Sequence, residues 1–387
     1  MANKIYILSG GPGAGKTELL NAIIKKDSNT SITPPKYSDR KKRSSGDDII
    51  TIATDDFNKE EYTFVYSMNN NIYGFKSIDI IECLKKRKNV FIIISDFRTI
   101  EEFKKYFGSL VSSIYIFRNM NEEELNEILE KRHKVNANNQ ADIEDDTENK
   151  IRKNRLYFIQ RQYVENIALF DHIILNRTNK QDEMYEQLKN IVYAYSEGQI
   201  TQRQKGPVIF LIAAASGAGK RTLMHAMYSL GKRNIKVIKK FTNRIQQDDD
   251  GPEIIPNTTI DEKFDISYEF NNNKYGIKSS EIWDNLANGT PQIVITNMDE
   301  FHQFSKIFGQ TAIGVYLHAT RTQKEILELQ KRKLKSEEKA NMKVQKMEEI
   351  HKGYINNIAE FKHVLLNTIA KEDLWEQMFQ LIKYYQE

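Results

Sequence analysis

The chain has one cysteine, Cys83, among 387 residues. It can close no disulfide within itself and can build no cysteine-based zinc site. Its seven histidines never fall as HxH or HxxxH, so histidine-pair metal chemistry is not expected either. Neither sign of charge dominates: 57 Lys and Arg against 53 Asp and Glu leave a formal charge of +4. That balance calls for no nucleic-acid or membrane partner, although it suits an anionic small substrate. The longest apolar run, 208–215, is far too short to span a bilayer. The start, MANKIYILSGG, lacks the basic residues, long apolar stretch and cleavage site of a signal peptide. A cytoplasmic protein is the expectation. With 40% hydrophobic and 28% charged residues, the remainder is ordinary globular composition, long enough for two or more domains.

The chain is written twice. ILSGGPGAGKTELL at 7–20 returns as LIAAASGAGKRTLM at 211–224, and NNNIYGFKS at 69–77 returns as NNNKYGIKS at 271–279. NVFIIISDF (89–97), FKKYFG (103–108), LEKRH (129–133), HIILN (172–176) and YEQLKNIVYAY (185–195) each have a later counterpart in the same order. The offset falls from 204 for the first pair (7 to 211) to 190 for the last (185 to 375) and never reverses. Such an order marks a duplicated domain with small deletions. The expectation is one domain over 1–197, a second over 207–387 and a polar linker over 198–206, with the two packed on each other.

Within one copy, Lys4–Leu8 reads as a strand, Thr17–Lys26 as a helix, and Asn89–Ile94 as a strand buried on both faces. Helices are expected over 99–107, 122–132, 152–166 and 182–195, and further strands over 113–117 and 173–176. Strands alternating with helices predict an α/β fold with a parallel sheet flanked by helices. The stretch between the first helix and Asn89 is polar and irregular, and reads as an inserted substrate-binding region.

Between the first strand and the first helix stands GGPGAGKT, which meets the pattern G-x-x-x-x-G-K-[ST] with Gly10, Gly15, Lys16 and Thr17. Backbone N–H groups of Gly10, Gly11, Gly13, Ala14, Gly15, Lys16 and Thr17 can face phosphate oxygens, and the helix N-terminus adds a favourable dipole. Lys16 can reach the β- and γ-phosphates of ATP, and the Thr17 hydroxyl can ligate Mg²⁺. Arg40 and Arg43 are three residues apart, so both guanidinia can converge on one phosphate. Asp96, at the end of a buried strand, can serve the Mg²⁺ shell or the acceptor, or can cap the next helix.

The order of these blocks resembles guanylate kinase, a nucleoside monophosphate kinase of the P-loop class. It is carried by the P-loop, SDRKKRSSGDD at 38–48, NNIYGF at 70–75, IIISD at 92–96, LEKRH with a later Arg-rich helix, and HIILN at 172–176. The resemblance implies transfer of a phosphoryl group from ATP with Mg²⁺ to a small acceptor, foremost a nucleoside monophosphate. It implies Arg40, Arg43 and Tyr73 on the acceptor phosphate, Asp47 (or Asp48) facing the acceptor base, and Arg132 and Arg155 (or Arg152) as lid arginines beside the transferred group. Three positions depart from the family pattern: Phe64, Phe75 and Ile128. Another nucleotide, a sugar phosphate or a secondary metabolite therefore stays open as acceptor.

The second copy keeps Gly217, Gly219, Lys220, Arg244, Tyr275 and Arg332. It has Ala214 in place of the first glycine, Arg221 in place of the metal hydroxyl, Gln247 in place of the second acceptor arginine and Asn297 in place of Asp96. It is expected to be a pseudokinase that supports the first. Two rival expectations remain: a non-catalytic guanylate-kinase-like scaffold or nucleotide sensor, and a regulatory ATPase with no acceptor.

Overall fold

A computed structural model describes residues 3–40, 51–54, 56–68, 70–119, 145–177, 181–200, 205–215, 217–229, 235–246, 251–261, 264–270, 272–320, 323–334, 336–367 and 371–387. The chain divides into two compact units, Met1–Ile200 and Thr201–Glu387.

The first unit is built on strand β1 (Ile5–Gly10), whose six residues are all buried. It pairs in parallel with β7 (Asn89–Ile93) on one side and β8 (Val111–Arg118) on the other. β2 (Ser31–Ile32) and β9 (His172–Asn176) complete a parallel sheet of order β2-β7-β1-β8-β9. Continuous apolar runs such as Val90 to Ile94 form these strands because both faces are covered. Helices α1 (Lys16–Lys26), α2 (Ser77–Lys85), α3 (Phe97–Phe107), α4 (Asp145–Glu165) and α5 (Gln181–Ser196) accompany it. The strand order turns back on either side of β1, so its C-terminal end opens on the crevice where open α/β sheets hold ligands.

The region read as irregular is a second sheet, of order β4-β3-β6-β5, from β3 (Lys36–Ser38), β4 (Thr51–Ala53), β5 (Phe64–Met68) and β6 (Asn71–Phe75). Its β5–β6 hairpin explains two departures from the family pattern. Phe64 and Phe75 are cross-strand partners, each almost wholly buried, and both pack on Phe103 of α3. They glue the hairpin to the main sheet's helix layer. Helix α2 was not expected: its buried face holds only Ile80 and Cys83, too few positions to announce a period. The helix expected over 152–166 begins earlier, with Asp145 opening α4. The helix expected over 122–132, with Ile128, lies outside the described residues.

The second unit has β10 (Ile209–Ala214), β11 (Lys236–Val237), β16 (Gln292–Thr296), β17 (Ala312–Ala319) and β18 (Phe361–Asn367) in a sheet of order β11-β16-β10-β17-β18. Its smaller sheet runs β13-β12-β15-β14, from β12 (Lys240–Thr242), β13 (Ile254–Ile255), β14 (Ile266–Phe270) and β15 (Asn273–Ile277). Ile266 and Ile277 take the cross-strand places of Phe64 and Phe75. Its helices are α6 (Lys220–Ser229), α7 (Ser279–Ala287), α8 (Met298–Phe308), α9 (Gln323–Leu334), α10 (Glu337–Asn356) and α11 (Lys371–Gln386). Among the described residues no helix is long and apolar enough to cross a membrane.

Candidate functional site

The loop after β1 turns on three glycines at positive φ: Gly10 (145°), Gly13 (76°) and Gly15 (96°). At Gly10 and Gly15 space demands glycine as well. A Cβ on Gly10 would stand 2.4 Å from the Ile116 carbonyl oxygen, and one on Gly15 would stand 2.7 Å from Asn176 Nδ2. That amide, from the end of β9, donates to Ala14 O at 2.8 Å and so pins the loop from the far side of the sheet. Lys16 opens α1, and its Nζ donates to Gly10 O and Gly11 O at 2.8 Å each. The lysine thus lies back along the loop, and the first-turn N–H groups around it have no earlier helical carbonyl to bond. Thr17 follows on the same turn, half-buried.

Two residues not anticipated as site residues complete the cradle. Arg118, the last residue of β8, donates through Nη1 to Gly13 O at 3.3 Å, while its Nε is buried with no hydrogen-bond partner. An orphaned guanidinium donor is costly unless an acceptor meets it, and phosphate is the natural one beside such a loop. Leu156 of α4 lies over Gly11, where a Cβ would meet its Cδ1 at 2.6 Å. Helix α4 therefore touches the loop one residue after Arg155. The strand-end position of Arg118, two residues beyond the partner of Gly10, was the only signal of its role, and it appears only once register is known.

Asp96 is the N-cap of α3: its Oδ2 accepts from Thr99 N at 2.8 Å and from Thr99 Oγ1 at 2.6 Å. The capping role is realised, and it holds the carboxylate at the C-terminal edge of the sheet beside β1. Arg40 follows β3 and donates its main-chain N–H to Ser38 Oγ at 3.1 Å. Asp39 Oδ1 accepts from Ile72 N at 2.8 Å, tying that loop to the hairpin. Tyr73 is buried, pairs with Ser38 across the β3–β6 ladder and stacks on Tyr66 at 5.2 Å, with Lys36 Nζ 5.4 Å from its ring. Arg43, Asp47, Asp48 and Arg132, together with the side chains of Arg152 and Arg155, lie outside the described residues.

The second unit repeats the loop with different chemistry. Lys220 Nζ donates to Ala214 O at 2.7 Å and Ala215 O at 3.2 Å, and Asn367 Nδ2 donates to Ala218 O at 2.7 Å. Gly217 and Gly219 keep positive φ at 83° and 104°, but Ala214 simply continues β10. Arg221 is exposed, and Asn297 caps α8 in a reciprocal box with Glu300. Arg244 Nε donates to Tyr275 Oη at 3.0 Å, so this pair of expected residues does meet. Arg332 is exposed on α9.

Solved structures similar to this chain include the guanylate kinase from Anaplasma phagocytophilum. The two share 13% identity at a TM-score of 0.35, over 48% of this chain and 89% of that one. At that level the likeness carries no argument about chemistry. No protein-family profile matches the chain, and no curated protein matches it in sequence.

The residues present fit a nucleoside triphosphate. Positive-φ glycines that tolerate no Cβ, a lysine folded over the loop, the orphaned Arg118 Nε and the N-terminus of an 11-residue helix all suit polyphosphate. For Mg²⁺ the loop offers the Thr17 hydroxyl. Among the described residues no cluster of three acidic, histidine or cysteine side chains forms a cage.

Proposed function

We propose that the first unit transfers the γ-phosphoryl group of ATP to a small phosphorylated acceptor, foremost a nucleoside monophosphate, and that the second unit supports it without transfer. The observation that carries this reading is the Gly10–Thr17 loop between β1 and α1, with Lys16 lying along it and Arg118 Nε unsatisfied beside it. Lys16 and the loop amides hold the β- and γ-phosphates. Arg118 adds a second cation near the loop and braces it at Gly13. Arg40, two residues past the Ser38–Tyr73 pair of the β3–β6 ladder, and Tyr73 would receive the acceptor phosphate. The leucine contact of α4 on Gly11 helps to keep water out. An acceptor phosphate oxygen then bonds to the γ-phosphorus in line, and the bond to the β–γ bridging oxygen breaks and leaves with ADP. Catalysis is by positioning and charge neutralisation. Mg²⁺ at Thr17 would supply further neutralisation on the phosphate oxygens.

A second reading, a phosphorylated metabolite without a nucleobase as acceptor, is favoured by Phe64 and Phe75. Both are spent on packing α3 and offer no polar group to a base. One assay tests both readings. ADP release is measured with Mg-ATP and a panel of nucleoside monophosphates, sugar phosphates and water, for wild type, Lys16→Ala and Lys220→Ala. Acceptor-dependent turnover should fall at least a hundredfold in Lys16→Ala and stay within a few-fold in Lys220→Ala. Turnover insensitive to Lys16 would overturn the assignment, and release of ADP with water alone would leave an ATPase.

A further inference from the structure

The second unit holds a cavity of about 730 Å³, the size of a small-molecule site. One wall is the loop lysine Lys220, another is the β12–β15 region with Arg244 and Tyr275, and the third is helix α10. Lys339, Met342, Lys343, Lys346, Met347 and Ile350 line it from that helix, at the spacing of one helical face. We propose that this cavity binds an organic phosphomonoester with an apolar body, without a divalent metal and without phosphoryl transfer.

The phosphate end is set by cations. Lys220 is mostly buried, and its Nζ bonds only main-chain carbonyls among the partners given above. Burial, and then the nearby cation of Lys240, pull its pKa down to about 8. An arriving dianion would offset the cost of burying that cation and raise its pKa again. Tyr275 Oη and the Ile245 carbonyl orient the guanidinium of Arg244 through Nε and Nη1, at 3.0 and 3.2 Å. A guanidinium held this way presents a fork suited to phosphate. Lys339, Lys343 and Lys346 add cations along the helix wall.

Metal independence follows from two exchanged residues. Arg221 stands where Thr17 would offer a hydroxyl, and a guanidinium cannot ligate a cation. Asn297 stands where Asp96 would offer charge, and its Oδ1 accepts from Glu300 N at 2.8 Å. Glu300 in turn is spent: Oε2 accepts from Asn297 N at 2.9 Å, and Oε1 lies 2.5 Å from Lys240 Nζ in a buried ion pair.

The apolar body follows from what the other polar groups are doing. Lys240 also donates to Tyr268 Oη at 3.0 Å, and Tyr268 stacks on Tyr275 at 5.1 Å. Glu300, Lys240 and Tyr268 are thus already joined to one another by hydrogen bonds. A nucleobase edge would find those groups already engaged, and breaking a buried pair is expensive. The rest of the wall is largely apolar and adaptable, with Met224, Ile238, Ile254, Met298, Met342 and Met347; Glu253 and Thr296 also line it, each with a buried oxygen (Oε2 and Oγ1) that has no hydrogen-bond partner. This proposal stands apart from the first unit's reaction and rests on none of its residues.

Calorimetric titration in EDTA tests it, on full-length wild type and on Lys16→Ala, with n-hexyl phosphate, AMP, GMP and inorganic phosphate. Hexyl phosphate should bind the Lys16→Ala chain once, at least tenfold more tightly than inorganic phosphate or either nucleotide. Lys220→Met and Arg244→Gln should each weaken it at least tenfold. Met342→Glu, at a position 64% exposed, should weaken it about fivefold with an unchanged melting temperature. The proposal is overturned if hexyl phosphate does not bind in EDTA or binds only with Mg²⁺. It is also overturned if a nucleotide or inorganic phosphate binds as tightly, or if binding survives both Lys220→Met and Met342→Glu. Phosphorus NMR of the Lys16→Ala chain with Mg-ATP and hexyl phosphate should show no new diphosphate, and its appearance would overturn the claim of binding without transfer.

Discussion

Gly15 and Lys220 show how single positions in the two loops carry opposite costs. At Gly15 a side chain is excluded twice, by φ of 96° and by Asn176 Nδ2 at 2.7 Å from a Cβ. The left-handed backbone alone costs a non-glycine residue roughly 1–2 kcal/mol, and the clash would break the amide's bond to Ala14 O. Gly15→Ala should therefore lower the first unit's melting temperature and abolish ATP binding, measured by melting and nucleotide titration. Full binding would show that the loop relaxes. Lys220, by contrast, is a native liability. Its pKa falls from the usual 10.5 to about 8 through burial and the neighbouring Lys240, whose own charge faces Glu300. Below pH 8 the folded state carries a buried cation at full cost. From about 8 to 10.5 it sheds the proton while the unfolded chain keeps it, so this residue's contribution to stability rises with pH. Lys220→Met should stabilise the ligand-free protein at pH 7, by on the order of 3 kcal/mol, with a smaller gain at pH 10. Urea unfolding at the two pH values measures it, and a gain that grows with pH would refute the account. The glycines and both loop lysines were legible in the sequence because their conformation is local. Arg118, Lys240 and Glu300 were not, because only the tertiary packing of strands and of α8 brings them to the loop and the cavity.

Helix α3 shows the same limit in a longer segment. Its existence was legible in the sequence, but its start was placed two residues late, at Thr99 rather than Phe97. The cap at Thr99 N and Thr99 Oγ1 decides the start. The second unit supplies the control: Asn297 caps α8 in the equivalent place. Aspartate and asparagine cap about equally well, whereas alanine costs about 1 kcal/mol. Asp96→Asn should therefore leave stability within a few tenths of a kcal/mol, and Asp96→Ala should lower it. If Asp96 also serves phosphoryl transfer, Asp96→Asn will lose turnover at unchanged stability. Turnover that merely tracks stability across both variants would confine Asp96 to the cap. The hairpin above α3 was harder to read. Phe64 and Phe75 looked like altered ligand contacts until their pairing across β5 and β6 showed them packed against Phe103.

The two units share one strand order in each of their sheets, yet the exchanged residues give them different demands on a ligand. The first has a hydroxyl at Thr17 and an orphaned Arg118 Nε. The second has Arg221 and a cavity in which Lys240, Tyr268 and Glu300 already bond one another, and β17 ends at Ala319 with no arginine in the place of Arg118. Mg-ATP and an organic phosphate should therefore protect different backbone amides. A ligand at a hundred times its dissociation constant stabilises the state that holds it by about 2.7 kcal/mol, enough to slow exchange of the amides it orders about a hundredfold. With Mg-ATP, hydrogen exchange should slow across 10–20 and the part of α4 around Leu156, and Lys16→Ala should erase the change. With n-hexyl phosphate in EDTA it should slow across 214–224 and 339–350, unaffected by Lys16→Ala and erased by Lys220→Met. Protection of both loops by Mg-ATP, each lost only with its own lysine, would mean that the second loop still takes a metal-bound triphosphate. Arg221 would then have to admit the metal through ligands other than its own side chain.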